Sequence, residues 1–454
     1  MLYEELDDRF GRRKKRTVIF GMAGGTPPTP PTPPTPSVLE EKHLNFYDFE
    51  GTLVASYDAD EIAGLTALPE PPDHSADEVP LTFEEWNWTL EEIKEYHTDM
   101  PENKIDVGAT YHPTDGKLHL IVETLVDNYL HPLRLSFNHG AQIDWGDGTS
   151  DSVSGTTDIS HYYEQKGRYN VTVTTTSTYL QLYGSTYLLP KEAYISRAIT
   201  DLNLAFSGCH LLEKVVIPSS VTTLGTTGSA GNGPFRYCYS LSAIILPRSL
   251  TVIGSYSMSD CYSLRVLSLP PTITSIENYA LNYCYALEKI TLPKGLLSLG
   301  AACQYGGARE ISLPSSLTSF PNNCFYNNRN LQKINIPAGF TAIPSSTFSG
   351  CQSLKQVELN EGIETIGDSA FDNTDSLQTI TIPSTVTSIG INAFSYAYGL
   401  ASVKILATTP PTLAGGAFYY RVIKKIYVPA ESVEAYKSAT NWAYYADKIE
   451  AIPA

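Results

Sequence analysis

Seven cysteines are the residues of this 454-residue chain whose chemistry depends most on spacing. Five of them, Cys209, Cys238, Cys261, Cys284 and Cys351, fall at one recurring position of a repeat. A zinc site needs ligands converging from short spacings such as C-x₂-C, which do not occur, and an odd count leaves no complete disulfide framework. The pattern predicts buried, reduced thiols acting as small hydrophobes. Disulfides between neighbouring repeats, among Cys238, Cys261 and Cys284, are the other reading. Carboxylates that could serve as general acid and base are plentiful between Asp58 and Asp106, but a charge run of this kind reads as a solvated face. Asp144 and Asp147 could bind calcium, but two carboxylates fall short of the six to eight oxygens that it takes. Nine histidines are scattered singly. There is no G-x-S-x-G, H-E-x-x-H or P-loop, and no G-x-G-x-x-G after a strand. The expectation is a chain with no enzymatic activity, no cofactor and no metal.

The elements behind these residues are set by a repeat. A proline follows an apolar pair at Pro218, Pro247, Pro270, Pro293, Pro314, Pro337 and Pro383, with Asn360 in one proline's place. The steps are 29, 23, 23, 21, 23, 23 and 23 residues, so one repeat carries an insertion and one is two residues short. A fixed period of this length marks a stacked solenoid. Before each proline, apolar residues alternate, as in Ile290/Leu292, Ile334/Ile336 and Ile380/Ile382, and period two predicts a short strand. The proline ends that strand because it has no N–H for the ladder. Pairs such as Ile273/Ile276 and Ile363/Ile366, with Phe206, Phe235, Phe325, Phe348, Phe371 and Phe394, make a second wall.

The unit Ile366-Gly367-Asp368-Ser369-Ala370-Phe371 with Leu377, Ile380, Ile382 and Pro383 resembles the leucine-rich repeats of the BspA type. Residues 198 to 430 carry that resemblance, and Ile426 to Ala430 with Tyr436, Lys437 and Trp442 are similar to that family's C-terminal cap. An end repeat needs a cap to cover its core. The BspA family is best known from secreted and surface proteins, whereas Met1 to Phe20 offers no apolar stretch for a signal peptide.

The chain divides into five parts: an arm over 1–25, a proline-rich spacer over 26–42, an acidic α+β module over 43–114, a β-sandwich over 115–192, and the solenoid with its cap over 193–454. The fold class is multidomain and mainly β. Thr26 to Pro36 repeats Pro-Pro-Thr and forms a polyproline II spacer. It follows the basic run Arg12, Arg13, Lys14, Lys15 and Arg16, which reads as an anchor or as a disordered tail with a basic patch. Residues 44 to 106 hold 17 Asp and Glu against Lys94 and Lys104, most of the chain's −17. Such a face repels nucleic acid. Leu44 to Val54 reads as a strand pair, Asp58 to Glu61 as a helix start, and Thr89 with Glu92 as a capping box. The Tyr47-Asp48-x-x-Gly51-Thr52 start and Trp86-Asn87-Trp88-Thr89-Leu90 resemble an N-terminal module of gut bacteriophage structural proteins. Further on, Trp145-Gly146-Asp147-Gly148-Thr149, then His161 and Gly167 to Val173, resembles the PKD family of immunoglobulin-like sandwiches. This resemblance implies a core role for Trp145.

Outward strand positions vary over a constant core, which marks a recognition face. Lys289 and Lys333 lie on it. Tyr237, Tyr239, Tyr262, Tyr283 and Tyr285 flank the cysteine positions, and tyrosine is a favoured contact residue. They serve as contacts or as ladders that stabilise the solenoid. The expected function is a bacteriophage virion protein of fibre or decoration type. The N-terminal region would hold other virion proteins, and the solenoid would adhere to a glycan or protein of the bacterial surface. A bacterial cell-surface adhesin and an intracellular scaffold are the alternatives. Several copies on a particle or a homo-oligomer, no nucleic acid and no membrane insertion complete the expectation.

Overall fold

The computed structural model describes residues 39–128, 131–182, 189–225, 233–418 and 423–453. Arg12, Arg13, Lys14, Lys15 and Arg16 and most of the spacer lie outside the described residues.

The repeats fold as their periodicity predicts. Nine rungs are numbered here by their strands: Lys214–Val216, Ala243–Ile245, Val266–Ser268, Lys289–Thr291, Glu310–Ser312, Lys333–Asn335, Gln356–Glu358, Thr379–Ile382 and Ser402–Ile405. Strands pair in parallel between rungs two and three, from four through seven, and between eight and nine, and Ile290, Ile311, Ile334 and Val357 stand in register. Two-residue strands such as Thr365–Ile366 and Ser388–Ile389 form the opposite wall. Between the walls Phe325, Phe348, Phe371, Phe394 and Phe418 stack with centroids 5.1 to 5.6 Å apart. Tyr436 and Trp442 are fully buried at the C-terminal end, where their polar atoms donate to Ala407 O and Pro411 O.

The proline at each strand end has a second consequence. Leu406, which occupies the proline position of the ninth rung, donates its N–H to Ile382 O one rung back at 3.0 Å. A proline cannot do this, so it leaves the carbonyl one rung back without its ladder donor. Where Asn360 replaces proline, its side-chain amide reaches back to Ile336 O and Pro337 O instead.

The cysteines meet a related need. Cys238, Cys261, Cys284 and Cys351 point their thiols at Phe206 O, Phe235 O, Met258 O and Phe325 O, at 3.1 to 3.3 Å. All seven cysteines are free and buried. Burial pushes the Cys303 and Cys351 thiols up to about 12, so they remain protonated and unreactive.

Ahead of the solenoid, β1 (Leu44–Tyr47), β2 (Leu53–Tyr57), β3 (Leu81–Trp86) and β4 (Ile105–Pro113) form a sheet in the order β2-β1-β4-β3. Helix α1 (Ala59–Ile62) and helix α2 (Leu90–Asp99) accompany it. Both begin at capping boxes, Asp58 with Glu61 and Thr89 with Glu92. Residues 118–194 supply β5 (Leu118–Thr124), β6 (Leu133–Phe137), β7 (Ala141–Asp144), β8 (Ser150–Val153), β9 (Thr157–His161), β10 (Gly167–Thr175), β11 (Leu180–Leu182) and β12 (Pro190–Tyr194). Trp145 is fully buried, with the His161 ring stacked on it at 4.5 Å. Asp144 and Asp147 cap their own turn: Asp144 accepts from Gly146 N–H, and Asp147 accepts from Thr149 N–H and pairs with His161.

The junction expected at 192/193 falls inside β12. That strand pairs with β5 on one side and with the first rung on the other, so one six-stranded sheet runs from these residues into the solenoid. One apolar core continues from Leu118 to Ile449. Residues 118–194 thereby close the first rung, as the C-terminal segment closes the last.

Replacing Cys261 by Ala removes a donor from Phe235 O and opens a small cavity. Denaturant unfolding should show a loss of about 2 kcal/mol. Reductant should leave the melting temperature of the parent protein unchanged; a large fall would mean that disulfides carry the rungs.

Candidate interaction surface

The acidic module lies across the strand face of the first four rungs. Asn87, fully buried between β3 and α2, donates to Leu246 O and Ser268 Oγ at 3.0 Å and accepts from Gly108 N–H at 2.8 Å. Trp88 Nε1 donates to Leu269 O at 2.8 Å, and Tyr96 Oη to Leu292 O at 3.2 Å. Leu246, Leu269 and Leu292 are the residues before Pro247, Pro270 and Pro293. Three successive carbonyls that prolines deprive of a ladder donor therefore receive one from the module. Ser268 Oγ returns a bond to Asp106 O at 2.6 Å. The Ile245 side chain packs so closely on the Gly108 backbone that a Cβ there would lie 2.4 Å from it. Val216 and Tyr194 belong to the same apolar cluster as Phe46, Trp88 and Ile93.

Charge completes the fit, and here two expectations are corrected. Lys289 does not lie on an open recognition face. Its ammonium is 2.8 Å from both Asp106 and Glu41 beneath the module. Burial pushes the Asp106 carboxyl above its usual range, against the pull of Lys289. Nor is the module's acidity simply a solvated face. Glu50 pairs with Lys214, Glu92 with Arg248, Glu95 and Asp99 with Lys294, and Glu84 with Arg197. The cations of the early rungs were visible in the sequence, as were the apolar residues Ala243, Ile245 and Val266 on their outward row. Only the fold shows that they meet the acidic segment. Beyond the module the outward row turns polar, and Lys333 stands exposed there between Glu310 and Gln356 on neighbouring strands.

The tyrosines occupy a different edge, at the turns that precede the strands. Tyr239 stacks on Tyr262 at 4.8 Å and Tyr262 leans on Tyr285 at 5.5 Å. Tyr237 and Tyr283 stand edge-on to Tyr239 and Tyr285. The Arg236 guanidinium lies 4.5 Å from the rings of both Tyr237 and Tyr256. Tyr239, Tyr262 and Tyr285 remain 39%, 41% and 52% exposed. They are both a ladder and a surface.

Their backbone carries a further signal. Tyr237, Tyr256, Tyr279, Tyr283 and Tyr305 all have φ between 55° and 64°. At the matching turns of later rungs stand Asn323, Asn327, Ser346, Gly350, Ser369, Asn373 and Asn392, mostly residues that accept this conformation more readily. Rings thus hold most of these left-handed positions on the early rungs and smaller residues most of the later ones, with Asp260 and Tyr396, at φ 63° and 49°, as exceptions.

A family model for the BspA type leucine-rich repeat region matches residues 202–332 and 318–445, in six copies. The chain belongs to the BspA-type leucine-rich repeat family. Solved structures similar to this BspA-type chain include a leucine-rich repeat protein of Bacteroides ovatus, 21% identical, covering 69% of this chain and 98% of its own, with a TM-score of 0.32. A leucine rich cell surface protein of Faecalibacterium prausnitzii is 20% identical, covering 50% of this chain and 90% of its own, at 0.27. The pneumococcal vaccine antigen PcpA is 17% identical, covering 59% and 80%, at 0.32. No curated protein sequence matches the chain.

Lys289→Met leaves Asp106 buried without its cation and should cost about 3 to 5 kcal/mol. Trp88→Phe keeps an aromatic ring but strips the donor from Leu269 O, at a cost of about 1 to 3 kcal/mol. Equilibrium unfolding measures both. The interface also fixes a sign for pH. Burial raises the Glu92 carboxyl pKa, but bonds from Arg248 and Thr89 outweigh it and hold the pKa below its usual 4.5. A depressed carboxylate stabilises above its free value and loses that contribution as pH falls through the docked value. Glu92→Gln should therefore reduce the fall in melting temperature on acidification below pH 4.5.

Proposed function

We propose that this BspA-type protein is a non-enzymatic adhesion protein that presents its solenoid to a glycan or protein of a bacterial surface. The observation that carries the reading is the division of labour between two faces of the same rungs. The module closes the strand face of the early rungs, and the tyrosine edge of those rungs stays open. Exposed, pre-ordered aromatic rings are effective anchors because little freedom is lost on binding. The acidic module disfavours a nucleic acid partner.

The cell surface is the setting that family membership favours. A place on a bacteriophage virion rests on the N-terminal resemblance, and the Trp86-Asn87-Trp88 segment behind it is already used in docking to the solenoid. The basic run Arg12 to Arg16 is the attachment point in this reading, with the polyproline stretch as its spacer. Residues 115–192 are a PKD-like domain that joins the solenoid to the anchored end. Presentation in several copies would raise avidity.

The test uses the full chain, since a cut at residue 195 would strip β5 and β12 from the first rung. Changing Tyr239, Tyr262 and Tyr285 together to Ser should weaken binding to bacterial cells at least about tenfold, while circular dichroism stays that of the parent. Lys333→Ala and the Asp144→Asn, Asp147→Asn pair should bind as the parent does. Full binding by the tyrosine variant would move recognition off this edge.

A further inference from the structure

The tyrosine ladder ends in a gap. After Tyr285 of the fourth rung, the next ladder position falls in the repeat that is two residues short, and it is occupied by Gly306 and Gly307. Gly307 N–H donates to Cys284 O at 3.1 Å. A Cβ on Gly307 would sit 2.0 Å from Tyr285 O, so the close approach of the two backbones demands glycine. The sixth rung resumes the row with Arg329, which is exposed and makes no ion pair among the described residues. Arg329 is near enough to Tyr285 to act on its phenol electrostatically.

The dimensions follow from the ladder. Two steps of a parallel sheet span about 9.5 Å. A ring held between two groups needs about 3.5 to 4 Å on each side. Two rung steps therefore leave room for one ring between the row positions of Tyr285 and Arg329. Tyr262 covers one side of Tyr285, and no ring stacks on the other among the described residues. The flank is phenolic: Tyr283 stacks on Tyr305 at 4.6 Å, and Tyr326 meets Tyr305 edge-on at 5.6 Å.

The geometry points to a carboxylated pyranose, an acidic sugar of a surface glycan, as the occupant of this gap. The C–H face of the sugar packs on Tyr285, its carboxylate takes the two parallel N–H donors of Arg329, and its hydroxyls meet the phenols of Tyr283 and Tyr305. An unpaired guanidinium in a chain of net charge −17 is the feature that selects an acidic ring over a neutral one. This assignment rests on the tyrosine edge being the recognition surface and adds the ligand class.

Titration calorimetry on the full chain tests it, with oligosaccharides ending in glucuronate, galacturonate or sialate, each beside its methyl ester. At least one charged sugar should bind, and its ester should bind at least about tenfold more weakly. Arg329→Gln and Tyr285→Ser should each weaken binding by a similar factor at unchanged melting temperature. Arg309→Gln, whose arginine is paired with Glu288, should have no effect. Failure of every charged sugar, equal binding of the esters, or full binding by Arg329→Gln would overturn the assignment. Persistent tyrosine-dependent cell binding alongside such a failure would remove only the ligand class; tyrosine-independent cell binding would remove the surface itself.

Discussion

The structure turns on one backbone hydrogen bond per rung that proline forbids. Proline ends each strand cleanly, which keeps the repeats short and the two walls close. The same missing N–H leaves the preceding rung with a carbonyl that must find another donor or face water. Along the early rungs the donors are Asn87, Trp88 and Tyr96. Later, Asn360 supplies one from within the solenoid and Leu406 restores the ladder bond itself. A local rule about strand ends thus decides where a second element can dock.

That docking divides the surface. A solenoid strand row would ordinarily be its broad binding face, and here its first four rungs are covered by a module rich in carboxylates that meet Lys214, Arg248, Lys289 and Lys294. A single buried pair such as Asp106 with Lys289 adds little net stability, since its desolvation cost is large. It does fix register, because a shifted module would leave the buried Asp106 without its cation. What stays accessible on those rungs is the turns, where left-handed tyrosines and the two-glycine gap shape the edge.

Much of this was legible in the sequence. The 23-residue period, the alternating strand residues, the phenylalanine wall, the thiol positions, the helix start at Asp58 and the Thr89–Glu92 capping box appear in the fold where their spacing puts them. Each is a local pattern repeated or anchored within a few residues. The docking was not legible because its acceptors are backbone carbonyls, which leave no mark in a sequence, and because Asn87 and Ser268 are 181 positions apart. The 21-residue step was visible as a deletion, but its effect on the tyrosine row depends on register between rungs. The junction at 192/193 was misplaced for a similar reason: β12 joins two sheets, and the pairing that makes them one is non-local.

Native-state hydrogen exchange tests most directly whether the module is a fixed part of the fold. If the proline-vacated carbonyls and the buried Asp106 hold it, amides of Phe46 in β1 and Val107 in β4 should open with the same free energy as Ile244 and Leu267 beneath them, as one cooperative unit. Exchange of the module's amides at a much lower free energy than those rungs would contradict this. It would show a module that comes and goes over a strand face that is free to bind.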